Sequence, residues 1–335
     1  MNILLLGGYR FLGRAIIAAA QARGHAVSAF NRGSLTTMPG VEQITGDREA
    51  PTFAAGRRWD VAIDTSGYIP RHARRSAEAL SDRVERYVYV SSISVYPYPI
   101  RANAHESDAL AEMPEGRDSD DAADTETYGA RKAACEAVIE SLLPGRVLTA
   151  RAGFIVGPHD NSDRFNSWIE RAARPAPFLV PSTPSVIPSV VEGPPQPMQL
   201  IDARDLAEWM IAMIEQNATG IYNVTGPERP LRLLDVAQTC IDATGGRGEL
   251  LAVPSEELKA AGVVPWEHIP FWLDPDEYGL MEANIDRALA TGLRFRPLAE
   301  TVRDTYAWLR SSDHKRRVVF PADIEAAAIS RFRAR

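Results

Sequence analysis

The chain has 335 residues, of which 45% are hydrophobic and 24% charged, with a formal net charge of −7 and a pI near 5.5. That is the profile of a soluble globular protein able to bury a sizeable core, as one large domain or two joined ones. It excludes a general attraction to phosphate backbones or anionic membranes, and no stretch approaches the roughly 18 consecutive apolar residues of a membrane span. The opening apolar run, residues 2–6, is short and lacks a basic leader, so the expected compartment is the cytoplasm. Cys135 and Cys240 sit in apolar helical contexts and read as small buried hydrophobes. The six histidines are scattered without ligand spacing, so no metal site is expected.

Short apolar strands alternate with amphipathic helices through the first half. Strands are expected at 3–6, 25–30, 41–45, 61–64, 87–91 and 147–150, with helices over 14–23, 73–80 and 128–143. This rhythm predicts an α/β fold, a Rossmann-type doubly wound parallel sheet covered by helices on both faces. The second half is less regular, with strands at 199–201 and 221–224 and helices at 203–216, 233–243 and 298–310. Residues 182–197 carry five prolines and neither period, and read as an exposed insertion. The expected organisation is a Rossmann domain over 1–160, to which 199–225 returns. A smaller, mixed substrate-binding domain is expected from 161–198 and 226–312. A tail, 313–335, is expected to end in a helix packed through Ile324, Ala328 and Phe332.

Gly7-Gly8-Tyr9-Arg10-Phe11-Leu12-Gly13 joins the first strand to the first helix. A glycine turn there brings backbone N–H groups and a helix N-terminus against a pyrophosphate, with Gly7 serving the tight turn and Gly13 the close helix–strand approach. The second strand ends in Asn31-Arg32-Gly33, without the carboxylate that binds an NAD ribose. Arg10 and Arg32 therefore point to the 2′-phosphate of NADP, with NAD as the alternative. Asp47-Arg48 and Thr65-Ser66-Gly67 lie at the carboxyl ends of the next strands, where doubly wound sheets bind ligands.

Lysine is rare in this chain, only Lys132, Lys259 and Lys315, and one of the three stands four residues after Tyr128. On a helix the two share a face, and an ammonium near a phenol favours phenolate, the setting of a general acid/base.

Together these features resemble the short-chain dehydrogenase/reductase superfamily in its extended or atypical, NAD(P)-dependent epimerase/dehydratase-like branch. The likeness runs from Met1 to about Leu309. Besides the glycine loop and Tyr128-x-x-x-Lys132, it rests on Ser91-Ser92-Ile93-Ser94-Val95-Tyr96, on Arg151-Ala152-Gly153-Phe154 and on the stretch from Gln199 to Ala207. The resemblance implies that Ser92 hydrogen-bonds the substrate oxygen, Tyr128 carries its proton and Lys132 binds the nicotinamide ribose. Ser91, Gly153 and Phe154 join the cofactor-binding set. The implied activity is an NADP-dependent interconversion of a carbonyl and a secondary alcohol; an epimerase with retained cofactor is the alternative. Ile93 stands where the branch's dehydratases place an acid, which argues against dehydration. Phe154 replaces an asparagine of nucleotide-sugar epimerases, which favours a less polar substrate.

The glycine loop and Asn31-Arg32-Gly33 are also similar to a subgroup that includes the chloroplast stem-loop RNA-binding proteins. Tyr128, Lys132 and the acidic charge favour an enzyme over the non-catalytic alternative, a dinucleotide-sensing or RNA-binding protein on the same fold. The expected partner is thus a small carbonyl, alcohol or sugar-like molecule, with neither nucleic acid nor membrane, acting on a monomer or homodimer. His159-Asp160 reads as a solvated loop pair, residues 105–126 as an exposed acidic loop, and Trp266 and Trp272 as pocket lining or core.

Overall fold

The structure is a computed structural model that describes residues 1–34, 36–182, 195–317 and 319–333. The first elements are β1 (Asn2–Leu6), α1 (Phe11–Ala22), β2 (Ala26–Asn31), β3 (Val41–Thr45), β4 (Trp59–Asp64), α2 (Pro70–Leu80), β5 (Val84–Ser92), α3 (Tyr128–Leu142) and β6 (Val147–Ala152). There follow β7 (Phe154–Val156), α4 (Arg164–Ala172), β8 (Phe178–Ser182), β9 (Pro197–Met198), β10 (Leu200–Asp202), α5 (Ala203–Glu215) and β11 (Gly220–Val224). The chain closes with β12 (Leu231–Arg232), α6 (Leu233–Thr244), β13 (Leu250–Pro254), α7 (Ser255–Ala260), α8 (Asp286–Ala290), α9 (Leu298–Ser311) and α10 (Ala322–Arg333).

Seven parallel strands form the main sheet in the order β11-β6-β5-β4-β1-β2-β3. The period of two in β1 sends Ile3 and Leu5 to one face and Leu4 and Leu6 to the other. Ile3 and Leu5 meet Ile16 and Ile17 of α1 and Leu206 and Met210 of α5. Leu4 and Leu6 meet Ala73 and Ala77 of α2 and Cys135 and Ile139 of α3. Both faces are thus covered, which is why β1 needs an unbroken apolar run. The order reverses at β1, whose neighbours are β2 and β4, the point at whose carboxyl end doubly wound sheets bind ligands.

The chain divides into two compact units. The first comprises Met1–Ile155, Leu200–Glu228 and Ala283–Phe295; the second comprises Val156–Gln199, Arg229–Glu282 and Arg296–Arg335. In the second, β8 and β13 pair in parallel, and Trp168, Phe178 and Phe271 pack as a cluster of rings. The Trp168 indole donates to the Pro270 carbonyl at 3.1 Å. Trp272 is fully buried and packs as core.

Several features of the second half differ from the sequence reading. α4, β8, β13 and α7 were not anticipated. Of the proline-rich stretch, residues 183–194 lie outside the described residues. Its edges are not loop: Ser182 ends β8, and Gln196 is buried, accepting from the Leu273 N–H at 3.0 Å and donating to the Phe271 carbonyl at 2.6 Å. In α10 the buried positions are Glu325 and Ala328, whereas Ile324 and Phe332 are half-buried. Glu325 turns inward because it pairs with the buried Arg171. Asp160 is buried too, closing on the Ser162 N–H and hydroxyl, so His159-Asp160 is not a solvated pair. No described helix is long and apolar enough to cross a membrane.

Candidate active site

Four residues, Gly7 to Arg10, connect β1 to α1. Gly7 and Gly8 have φ of +107° and +112°, a region closed to side chains. A Cβ on Gly13 would stand 2.2 Å from the Gly8 carbonyl oxygen, so only glycine lets α1 rest on the loop. The result is a side-chain-free cradle at the N-terminus of α1, with Arg10 exposed as the N-cap residue. Tyr9 and Leu12 turn into the core, so among the expected loop contacts these two are left with their backbone alone.

Asn31 ends β2 and ties it to this loop, its amide donating to the Gly7 carbonyl at 3.2 Å and its oxygen accepting from Gly33 at 2.8 Å. Arg32 is exposed beside it. The Asp47 carboxylate turns onto the Glu49 N–H at 2.9 Å. Arg48 departs from its expected role. Its guanidinium donates to Asp64 at 2.8 Å, Ser66 Oγ at 2.7 Å and Ser76 Oγ at 3.1 Å, and is thereby committed to the protein. Asp64 is fully buried. Burial works to raise its pKa, but the Arg48 charge and hydrogen bonds from Arg48, Ser66 and Tyr87 outweigh it and hold the carboxyl below its ordinary range. Thr65 and Ser66 donate to the Leu6 carbonyl at 3.0 and 3.3 Å, stitching β4 to β1 under the glycine loop.

Ser92 ends β5 and caps the short 3-10 turn Ile93–Val95. It accepts from the Ser94 N–H at 3.1 Å and donates to Ser94 Oγ at 3.1 Å. Tyr128 opens α3 directly against this turn. A Cβ on Gly129 would lie 1.9 Å from the Ser94 carbonyl oxygen, so Gly129 permits the helix start and the serine turn to touch. Sequence reasoning passed over Gly129, although its place inside Tyr128-Gly129-x-x-Lys132 was visible. One turn later, Lys132 is 3% exposed and donates to the carbonyls of Gly67 at 2.9 Å and Val90 at 2.8 Å. Its ammonium lies 4.2 Å from the Tyr89 ring centroid and 5.7 Å from that of Tyr68. Burial pushes its pKa down to about 8. The chain thus gathers the ends of β4 and β5 around the N-terminal turns of α3.

Behind these residues runs a buried polar network. Ser91 donates to Glu136, which pairs with Arg151 at 2.7 Å. Arg151 donates to the Tyr96 hydroxyl at 3.0 Å, and Tyr96 donates to Asn223 at 2.7 Å. Glu106 accepts the Asn223 N–H at 2.8 Å, so the acidic loop sends one buried carboxylate inward. The Ser91 hydroxyl therefore faces the fold's interior, so its expected cofactor contact would fall to the backbone. Glu136, four residues after Lys132 on α3, also went unread. Gly153 abuts Thr225, where a Cβ would stand 2.1 Å from the hydroxyl, and Phe154 begins β7, half-buried.

Comparison with known proteins agrees with this geometry. Residues 71–225, which include Ser92, Tyr128 and Lys132, match the family model described as NAD dependent epimerase/dehydratase family. A curated relative, the chloroplast stem-loop binding protein of 41 kDa b from Arabidopsis thaliana, is 27% identical over 266 residues, 73% of this chain. The match spans 63% of that relative's length. Among solved structures, the UDP-N-acetylglucosamine 4-epimerase of Bacillus cereus superposes with a TM-score of 0.68 at 16% identity, covering 96% of this chain and all (100%) of that one. The Bacillus cereus UDP-glucuronic acid 4-epimerase in complex with NAD gives 0.62 at 15% identity, covering 92% and 99%. At such identities the structures speak to the fold. Residues 71–225 thus match the NAD dependent epimerase/dehydratase family model, and the seven-stranded parallel sheet gives the chain the Rossmann-like fold of these epimerase structures.

Proposed function

We propose that the protein is a sugar or nucleotide-sugar epimerase that oxidises a secondary alcohol transiently and reduces it again with a retained nicotinamide dinucleotide. The observation that carries this is the contact between the Ser92 turn and the start of α3, which brings Ser92, Tyr128 and Lys132 to one strand end. Net NADP-dependent reduction was the leading expectation from sequence. The family matched over 71–225 and the epimerase structures of like fold favour the epimerase form instead.

The cradle formed by Gly7, Gly8 and Gly13 fits a pyrophosphate, free of side chains and set at a helix N-terminus. Arg10 and Arg32 would hold a 2′-phosphate, which makes NADP the preferred form. The bound dinucleotide supplies a hydride acceptor and donor. Two of the three Lys132 donors serve the Gly67 and Val90 carbonyls, leaving a third for a ribose hydroxyl. Tyr128 takes the hydroxyl proton as the alcohol is oxidised and returns it on reduction, while Ser92 hydrogen-bonds the same oxygen.

The test is incubation with NAD or NADP and a panel of UDP-sugars, followed by NMR of the sugar. The expected result is an epimer formed without net change in nicotinamide absorbance. Stoichiometric cofactor consumption with a ketone or alcohol would instead establish a reductase. A second reading, stem-loop RNA recognition without catalysis, is favoured by the Arabidopsis relative and by the likeness of the glycine loop and Asn31-Arg32-Gly33 to that subgroup.

A further inference from the structure

In the second unit, a cavity of about 600 Å³ is lined by residues of α4, the last turns of α9 and the segment after α9. Five arginines line it: Arg171, Arg174, Arg310, Arg316 and Arg317. Against them stand two carboxylates. Glu325 lies 2.6 Å from Arg171 and 3.8 Å from Arg174, and Glu170 lies 2.8 Å from Arg316. Five guanidiniums less two carboxylates leave a local surplus of three positive charges, in a chain whose net charge is −7. Among the described residues, neither Arg310 nor Arg317 forms an ion pair; Arg310 lies over the Tyr306 ring at 5.7 Å.

Helix dipoles explain part of this. Arg171, Arg174 and Arg310 stand at the C-terminal ends of α4 and α9, where cations are favoured. Arg316 also answers the end of α9, donating to the Leu309 carbonyl at 2.6 Å, whereas Arg317 lies beyond the helix. Gathering like charges in a concavity is unfavourable without a counter-charge. Arg171 is also held rigidly, its guanidinium between the rings of Phe178 at 4.7 Å and Phe320 at 4.9 Å, and its Nη1 has no hydrogen-bond partner in the protein. Guanidinium forks match phosphate oxygens, and a volume of this order suits a small molecule. Tyr306, Leu309 and Val319 add an apolar wall for the rest of such a ligand.

We propose that this cavity binds a small phosphorylated molecule, at a site separate from the dinucleotide cradle. The probe is inorganic pyrophosphate, titrated calorimetrically, with saturating NADP filling the glycine cradle, into the full chain and into the double variant Arg310→Gln/Arg317→Gln. Both side chains are exposed, so folding is expected to survive, and NADP binding should be equal in the two proteins. Pyrophosphate should bind the wild type at least about tenfold more tightly than the variant. Equal affinity in both, or no binding by the wild type, overturns the proposal. So does a phosphate site that accepts only RNA, shown if the variant weakens RNA binding while pyrophosphate leaves the wild type unaffected. Should the double variant misfold, Arg317→Gln alone carries the same comparison.

Discussion

Lys132 gives up much to be where it is. Burial pushes its pKa down to about 8 from an ordinary 10.5. Below about pH 8 the ammonium is charged in both folded and unfolded states, and folding bears the full cost of burying it. Between about pH 8 and 10.5 the folded protein has released a proton that the unfolded chain still holds, so stability rises with pH. Lys132→Met removes that rise. In urea melts of the cofactor-free protein from about pH 7 to pH 9, the wild type should gain about 1 kcal/mol relative to the variant. Burial raises the pKa of Cys135 and Cys240, which tilts the pH dependence the other way; the Lys132 charge holds the Cys135 thiol below where burial alone would put it, so its loss steepens that opposite tilt in the variant and widens the difference. Parallel profiles for the two proteins would refute the buried-charge account. Two neighbouring positions test the site itself. Tyr128→Phe should cut turnover by roughly 10²–10⁴-fold and leave dinucleotide affinity unchanged, since it removes only the proton carrier. Glycine to alanine inside a helix ordinarily stabilises by up to about 1 kcal/mol. At Gly129 the sign should reverse, to a loss of about 1–3 kcal/mol in urea melts together with lost turnover, because the new methyl would meet the Ser94 carbonyl.

At the scale of elements, α3 is tied to β5 and β6 by Ser91, Glu136 and Arg151, all buried. Arg151→Met leaves the Glu136 carboxylate buried without its partner and should lower stability by about 3–5 kcal/mol. The double variant Arg151→Met/Glu136→Leu should recover much of that in the same denaturation assay, since two apolar groups replace the pair. A deficit in the double variant as large as in the single one would mean that Arg151 acts through packing alone. The same physics marks where sequence reading ran out. Hydrophobic periodicity finds faces that bury apolar side chains, so it found α1, α2 and α3 closely. It misreads a helix whose inward residue is a paired charge. α10 was oriented by Ile324, Ala328 and Phe332, yet Glu325 is buried on Arg171. Asp64 and Arg48 follow the same pattern at the site, where Arg48 read as a ligand contact and is a structural cation.

For the whole molecule, the parallel sheet was legible because each central strand is an apolar run next to its own helix in sequence. The parallel pairing of β8 with β13 joins segments about 70 residues apart, and no local pattern announces it. The Ser92, Tyr128 and Lys132 set was legible as residue types at a spacing, and the contact that unites it, Gly129 on Ser94, needed coordinates. Net charge bears on the choice between the two functional readings. RNA affinity rests largely on neutralising phosphates with Lys and Arg, and it falls steeply with salt. A chain at −7 lacks that general attraction, even with the arginine-lined cavity in its second unit. In about 0.15 M salt, a stem-loop RNA should therefore bind no more tightly than the nonspecific range of roughly 10⁻⁴–10⁻⁶ M, measured by fluorescence anisotropy. NADP titrated in the same buffer should bind through the glycine cradle, and Gly13→Val should abolish that binding, since even a Cβ there meets the Gly8 carbonyl. Nanomolar RNA binding that persists in Tyr128→Phe and ignores NADP would make the acidic surface misleading and transfer the assignment to RNA recognition.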